Sequence, residues 1–186
     1  PSGDAVFSKN RFQALAKCLA VLPVATAALG PVAGLPAARL VASHFSVMSK
    51  ATAQILTAGP AVVARAMGEQ KSKEELGGWK VHTKNGTVDN GADDEIACLK
   101  EIKNFLSFMP DNIHELAPRL NCEDPVDRKD QMLTSIVPRD RRKSFDMRLI
   151  INSIVDRTSF FEIGNGYGRS QITGLARLHG QPVGIW

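Results

Sequence analysis

Features that mark several protein classes are scarce or absent in this chain of 186 residues. Cysteine occurs only at Cys18, Cys98 and Cys122, with no close pair and no histidine at ligand spacing, which predicts neither a disulfide framework nor a zinc site. No glycine-rich phosphate loop indicates a nucleotide site. The formal net charge of +4 is spread along the chain and does not indicate nucleic-acid binding. These absences favour a reduced, intracellular protein.

A membrane span is also not predicted, although residues 18–38 are uncharged over a length that could cross a bilayer as a helix. The stretch is interrupted by Pro23, Gly30, Pro31, Gly34 and Pro36. In hydrocarbon these residues would leave backbone groups unpaired, so the pattern favours a strand, a turn and a helix start in a globular core. Residues 1–10 lack the basic head and apolar run of a signal peptide.

What the chain does contain is a repeated pattern of strand, glycine-proline turn and helix. An apolar fraction of 44% is enough for a packed core. Residues 11–22 have apolar side chains three and four apart, which predicts a helix. Residues 24–29 are apolar and end at a Gly-Pro turn, which predicts a strand buried on both faces. A turn at residues 33–35 follows, and Pro36 suits the first position of a helix that reaches residue 43.

The second copy of the pattern follows directly. Residues 45–48 and 54–57 are strand-like, Gly59 makes a turn, and Pro60 opens a helix over residues 61–67. The sequence therefore predicts an α/β protein in which this unit is repeated.

Further on, Ser72 and Glu75 form a capping box for a short helix that ends at Gly77 and Gly78. Residues 84–87 predict a hairpin turn. The clearest helix is expected at residues 93–108. Its predicted inward face consists of Ile96, Leu99, Ile102, Phe105 and Leu106.

A linker is predicted where residues 111–143 become polar and contain several prolines. We place a first lobe at residues 1–120, the linker at 121–143 and the start of a second lobe at 144–186. The second lobe is expected to hold a helix at residues 145–155 with Met147, Ile150, Ile151 and Ile154 facing inward, strands at 159–163, 171–178 and 182–186, and a two-residue turn at His179 and Gly180. So few residues cannot bury a core, so we expect the chain to be part of a longer polypeptide.

Several sequence blocks, in their order and spacing, resemble the carboxyltransferase (β) subunits of biotin-dependent acyl-CoA carboxylases, which include the propionyl-CoA and methylcrotonyl-CoA enzymes. The blocks are residues 30–34 (GPVAG), 57–63 (TAGPAVV), 68–69 (GE), 74–78 (EELGG), 105–110 (FLSFMP), 124–125 (DP), 136–138 (IVP), 145–151 (FDMRLII) and 160–162 (FFE). The resemblance runs through almost the whole chain.

The resemblance implies a crotonase-like fold of ββα units, with most of a first lobe and the beginning of a second. It implies transfer of CO₂ from carboxybiotin to the α-carbon of an acyl-CoA, and no metal. The implied partners are acyl-CoA, a biotin carboxylase or biotin carboxyl carrier subunit, and further copies of the chain, with the active site between subunits. The implied location is the bacterial cytoplasm or the mitochondrial matrix.

For the site, the resemblance places an oxyanion hole at the backbone N–H groups of Gly34 and Leu35, where the family has two glycines. Fixed N–H groups at a turn into a helix suit an enolate oxygen. Leu35 departs from the family pattern, and its bulk puts the size of the acyl pocket and the hole itself in question. Ala33, Gly59, Pro60 and Gly78 are implied as substrate-binding positions. Without the resemblance, Gly34 serves equally for close packing of strand and helix.

Several of the candidate site residues also have a simpler structural interpretation. Gly59 and Pro60 are better explained as a helix start, and Gly77 and Gly78 as a helix end that still borders the pocket if the resemblance holds. His82 is expected at the surface. Three further histidines have no partner at motif spacing: His44, His114 and His179. The cluster Arg139, Arg141, Arg142 and Lys143, with Asp140 inside it, is either a phosphate site or, as we favour, a solvated linker.

Two alternative functions share every residue discussed. One is a catalytically silent assembly subunit, for which Leu35 is the only indication. The other is a biotin-dependent acyl-CoA decarboxylase of the same family.

Overall fold

A three-stranded parallel sheet organises the first half of the chain in the computed structural model, which describes residues 11–186. Its strands are β1 (Ala25–Ala28), β3 (Phe45–Ser49) and β5 (Asn90–Ala92), in the order β1-β3-β5. Every residue of the central strand β3 is buried, as expected for a parallel strand covered on both faces. In the edge strand β1 only Ala28 is fully buried, so the prediction that the strand within residues 24–29 is buried on both faces is wrong.

A second, two-stranded parallel sheet lies beside the first. It pairs β2 (Pro31–Ala33) with β4 (Gln54–Leu56) in the register Pro31 to Gln54 and Ala33 to Leu56. β2 takes the place of the predicted Gly-Pro turn, because the residues after Gly30 find a partner strand far away in sequence. The repeated unit is therefore strand, strand, helix, as the α/β ββα expectation required.

Most of the helices lie at the predicted places, but the helix at residues 79–82 and the 3-10 helix at residues 131–134 were not predicted. They are α1 (Arg11–Leu19), α2 (Leu35–Val41), α3 (Pro60–Met67), α4 (Lys73–Gly77), α5 (Trp79–His82), α6 (Glu95–Ser107) and α7 (Met147–Ile154), with a 3-10 helix at Gln131–Thr134. The capping box is confirmed, since the Ser72 hydroxyl accepts from the Glu75 N–H and the Glu75 carboxylate accepts from the Ser72 N–H. Pro60 is the first residue of α3, as predicted.

Of two predictions near α6, one is wrong and the other is correct only in part. Residues 84–87 form a turn with Gly86 at φ 77°, but they connect α5 to β5, which runs parallel to β3, so no hairpin forms. On α6, Phe105 is buried and Ile102 packs against the core, as predicted. Ile96, Leu99 and Leu106 are exposed instead, and Cys98, outside the predicted face, is buried. Because β1 and β3 pack against the side of α6 that contains Cys98, the predicted face is rotated from the observed one.

The second half contributes an antiparallel sheet of β6 (Phe161–Ile163), β7 (Thr173–Leu178) and β8 (Gln181–Ile185). The predicted turn between β7 and β8 is confirmed, with His179 and Gly180 both at positive φ. On α7, Met147 and Ile154 are exposed, so half of its predicted inward face is wrong.

The two halves share one hydrophobic cluster. The Phe45 ring stacks on the Phe105 ring at a centroid distance of 5.0 Å and meets the edge of the Phe161 ring at 5.4 Å. Phe161 belongs to β6, so this cluster joins the antiparallel sheet to β3 and α6. The proposed lobe boundaries stay a prediction. Among residues 11–186, no helix has both the length and the apolar character needed to cross a membrane.

Candidate functional site

An open cavity of about 760 Å³ lies where β4, α2 and α3 meet. Gly34 and Leu35 at the start of α2, Leu56 at the end of β4, and Val63 of α3 contribute to its wall. The lining is largely apolar, which suits the acyl end of a thioester better than a charged ligand.

Gly34 is needed for its backbone conformation. Its φ is 68° and its ψ is −133°, a combination that residues with a Cβ avoid. A Cβ built at this position would meet no atom within 4 Å, so the alternative explanation, close packing of strand and helix, is wrong. The Gly34 N–H donates to the Leu56 carbonyl at 3.1 Å, and a ligand oxygen would have to replace this carbonyl to reach it.

Leu35 is the first residue of α2. The first N–H groups of a helix have no partner within the helix, so the Leu35 N–H is available to an acceptor outside α2. Pro36 follows and has no N–H. The Leu35 side chain is 39% exposed and forms part of the cavity wall.

His82 also lines this cavity, which the sequence did not indicate. Its Nε2 lies 2.7 Å from the carbonyl oxygen of Ile55 on β4. Its Nδ1 is buried and has no hydrogen-bond partner among the described residues. The expectation of a surface histidine is therefore wrong, because α5 packs this ring against a strand 27 residues earlier in the chain.

Comparison with known proteins assigns the family. Residues 7–186 match the Carboxyl transferase domain. The chain belongs to the carboxyl transferase domain family. Mitochondrial propionyl-CoA carboxylase beta chain from Homo sapiens is 35% identical over 166 residues, which are 89% of this chain and 31% of that protein. Methylmalonyl-CoA decarboxylase subunit alpha from Veillonella parvula is 34% identical over 89% of this chain and 33% of that protein.

Solved carboxyl transferase structures agree with the fold. Transcarboxylase 12S, crystallised as a hexamer with hydrolyzed methylmalonyl-coenzyme A bound, superposes with a TM-score of 0.86 at 34% identity and covers 94% of this chain. A single-chain, multi-domain long-chain acyl-CoA carboxylase gives a TM-score of 0.78 at 26% identity. The expected crotonase-like α/β fold is thus confirmed. The chain spans about a third of the length of the curated relatives it matches.

The other positions implied by resemblance to carboxyl transferases surround the cavity without lining it. Ala33 is exposed at the end of β2. Gly59 caps α3 at φ −75°, and a Cβ there would meet nothing within 4 Å, which agrees with the simple helix start. Gly78 ends α4, with its N–H donating to the Glu74 carbonyl at 2.9 Å, which agrees with the helix-end interpretation. Their neighbours Ala58 and Leu76 do reach the cavity.

The basic cluster and the remaining histidines lie away from this cavity. Every residue from 139 to 143 is exposed, and Arg142 pairs with Asp140 at 3.3 Å, as expected of a solvated linker. His44 accepts a hydrogen bond from the Val24 N–H through Nδ1 at 3.0 Å. His114 and His179 are both exposed.

One group of potential metal ligands, Cys122, Asp124 and Asp156, occurs in the described part of the chain. The Asp124 carboxylate already accepts from the side chain of Arg128 and from the Arg157 N–H. Burial opposes ionisation of Asp156, but N–H donors from Gly180 and His179 outweigh it and hold the pKa of this carboxyl below its usual value. These hydrogen-bond and ion-pair partners stabilise the carboxylates of Asp124 and Asp156 without a metal ion.

Proposed function

We propose that this chain forms the acyl-CoA side of a biotin-dependent acyl-CoA carboxyltransferase. The observation that carries the proposal is the apolar cavity with the Leu35 N–H at its wall, in a chain of the carboxyl transferase family. The thioester would enter this cavity, with its carbonyl oxygen at the first turn of α2.

The chemistry explains why a backbone N–H is needed there. Breaking the α C–H bond leaves negative charge on the thioester oxygen, and a preorganised N–H stabilises that charge without any movement. The partial positive charge at the start of α2 adds to the effect. We therefore assign the Leu35 N–H as the main hydrogen-bond donor to the thioester oxygen, and the backbone conformation of Gly34 sets the direction of this N–H. Carboxybiotin, when bound, would supply CO₂ by cleavage of its N–C bond; the freed biotin nitrogen would take the α proton, and the α-carbon of the resulting enolate would bond to the CO₂.

The partners follow from the same proposal. Transcarboxylase 12S is a hexamer with methylmalonyl-CoA bound, which supports an acyl-CoA ligand and an oligomer for this chain. We assign carboxybiotin to a carrier that reaches the second lobe of a neighbouring subunit, supplied by a biotin carboxylase component. The proposed location is the cytoplasm in a bacterium or the mitochondrial matrix in a eukaryote, since relatives of both kinds occur.

A decarboxylase is the second candidate, and the similarity to a methylmalonyl-CoA decarboxylase alpha subunit favours it specifically. It would run the same transfer from a carboxylated acyl-CoA to biotin. A silent assembly subunit is the third, favoured only by Leu35 in the place of a family glycine.

The test measures CO₂ transfer in both directions between biotin and a panel of acyl-CoAs of increasing chain length. It uses the assembled subunit that contains this chain, with Leu35 intact, Leu35→Ala and Leu35→Gly. Leu35→Ala removes bulk and keeps a residue suited to a helix, so it separates pocket size from backbone freedom.

Activity with Leu35 intact supports the carboxyltransferase, and a preference shifted toward longer chains in both variants shows that the side chain limits the pocket. Transfer only from carboxylated substrates supports the decarboxylase. Activity that arises only in Leu35→Gly supports a silent subunit, and no activity in any form contradicts the enzyme proposal.

A further inference from the structure

The hydrogen bond from His82 to Ile55 shows that Nε2 of the ring carries a hydrogen. A carbonyl oxygen only accepts, so Nε2, at 2.7 Å from it, carries the hydrogen. Nδ1 is then a buried group without a partner among the described residues. Buried polar atoms without partners are rare in proteins and require a reason. The reason suggested by the geometry is that the Nε2 bond fixes the ring where it is.

The strand that receives this bond belongs to a very small sheet, although its Ile55 and Leu56 side chains are buried and α4 packs against it. β4 has three residues and pairs with β2, also of three residues, in a sheet of two strands. Two short strands alone are at best marginally stable. A bond from outside the sheet to the Ile55 carbonyl therefore matters more than it would in a larger sheet.

The same carbonyl is approached from a second side. A Cβ added to Gly77 at the end of α4 would collide with the Ile55 oxygen. The pair Gly77 and His82 thus encloses one carbonyl of β4, with the glycine allowing close approach and the histidine donating to it.

The next residue along β4 reaches the proposed site. Leu56 accepts the Gly34 N–H at 3.1 Å, and Gly34 is the residue whose φ of 68° directs the chain into Leu35. Only one peptide separates the carbonyl held by His82 from the carbonyl that holds Gly34. Displacement of β4 would therefore move Gly34 and change the direction of the Leu35 N–H relative to the cavity.

We infer that His82 is a positioning residue: its Nε2–H holds the Ile55 carbonyl and, through β4 and Gly34, sets the Leu35 N–H against the cavity. The inference rests on the proposed function for its catalytic consequence. It gives His82 no contact with the reacting atoms.

The main test compares His82→Gln, whose side-chain amide can donate near the position of Nε2, with His82→Leu, which cannot donate. Transfer is measured in the assembled subunit. In His82→Leu we expect kcat to fall roughly tenfold to a hundredfold with KM for acyl-CoA nearly unchanged, as for a displaced transition-state contact. His82→Gln should recover most of the loss.

Thr83→Val is the matched control. Thr83 is the next residue, is buried, and donates its hydroxyl to the Trp79 carbonyl of α5 at 2.7 Å rather than to a carbonyl of β4. The Thr83→Val variant should have a lower free energy of unfolding than the unmodified protein and the same kcat. Equal loss of kcat in Thr83→Val and His82→Leu, or no recovery in His82→Gln, would overturn the inference.

Two readouts do not depend on activity. Nitrogen chemical shifts of the unmodified protein should show His82 with its hydrogen on Nε2. Amide hydrogen exchange at Gly34 should be faster in His82→Leu, while the Val63 N–H, bonded to the Gly59 carbonyl in α3, should exchange at an unchanged rate. Hydrogen on Nδ1 alone, or unchanged exchange at Gly34, contradicts the positioning role. An inactive wild type with both results as expected contradicts only the proposed function.

Discussion

The guanidinium group of Arg177 lies over the ring of Phe108, with 4.7 Å between Cζ and the ring centroid. Arg177 is only 5% exposed, and its N–H groups donate to the carbonyls of Ser107, Pro118 and Gly180. One side chain of β7 thus binds the end of α6, the irregular segment that follows α6, and the turn after its own strand. Burial lowers the pKa of this group from its usual value, and an arginine guanidinium nevertheless stays charged in proteins.

We expect Arg177→Met to lower the free energy of unfolding by about 3 kcal/mol, because three carbonyls lose a charged donor while the methionine fills part of the space. Denaturant unfolding measures the change. Arg142→Met is the matched control, since the Arg142 side chain is 91% exposed and should contribute almost nothing. Equal stability of the two variants would show that the Arg177 network has no net effect.

Gly34→Ala should destabilise the protein by about 1 to 3 kcal/mol and reduce carboxyl transfer, because alanine is strained at φ 68°. Gly59→Ala is the control: its φ is −75°, and in both places an added Cβ meets nothing within 4 Å. Comparison of Gly34→Ala with Gly59→Ala therefore measures the effect of backbone strain, because the packing around the added Cβ does not differ. Thermal or denaturant unfolding of both variants gives the measurement, and equal losses would contradict a special conformation at Gly34.

The features predicted correctly from sequence are those that neighbouring residues determine. Pro60 at a helix start and the box of Ser72 and Glu75 act within one turn, and the His179 turn needs only two residues. Gly34 was singled out by its motif, and its positive φ gives the physical reason for that glycine.

The features that were missed depend on contacts distant in sequence. β2 forms because Pro31 meets Gln54, and His82 is half-buried because Ile55 lies beside α5. Nothing near His82 in sequence indicates that contact. On α6, two apolar rows compete, and the packing of β1 and β3 selects the row with Cys98 over the row with Ile96.

Asp156 should make stability depend on acid pH. Hydrogen bonds from Gly180 and His179 outweigh the effect of burial and lower its pKa in the folded state. The unfolded chain then binds a proton more readily, so the stabilisation is present above the unfolded pKa of about 3.9 and is lost as pH falls toward the folded pKa. In Asp156→Asn the free energy of unfolding should be lower at pH 6 and should fall less between pH 5 and pH 2.

Denaturant unfolding at a series of pH values measures this difference. Asp111→Asn controls for the loss of one negative charge, because Asp111 is exposed. A pH dependence of Asp156→Asn parallel to that of the unmodified protein would show that the turn N–H groups do not favour the ionised carboxylate.

Cys98 should resist alkylation in the folded protein. Burial against β3, with smaller contributions from Glu101 and Asp94, raises the pKa of its thiol to about 11. At pH 8 about one thiol in a thousand is then ionised, and the thiolate is the reactive form. Cys18 is exposed and provides an internal comparison within the same sample.

Iodoacetamide labelling followed by peptide mass spectrometry should modify Cys18 well before Cys98, and denaturant should remove the difference. Equal labelling rates without denaturant would mean that α6 separates from β3 under native conditions.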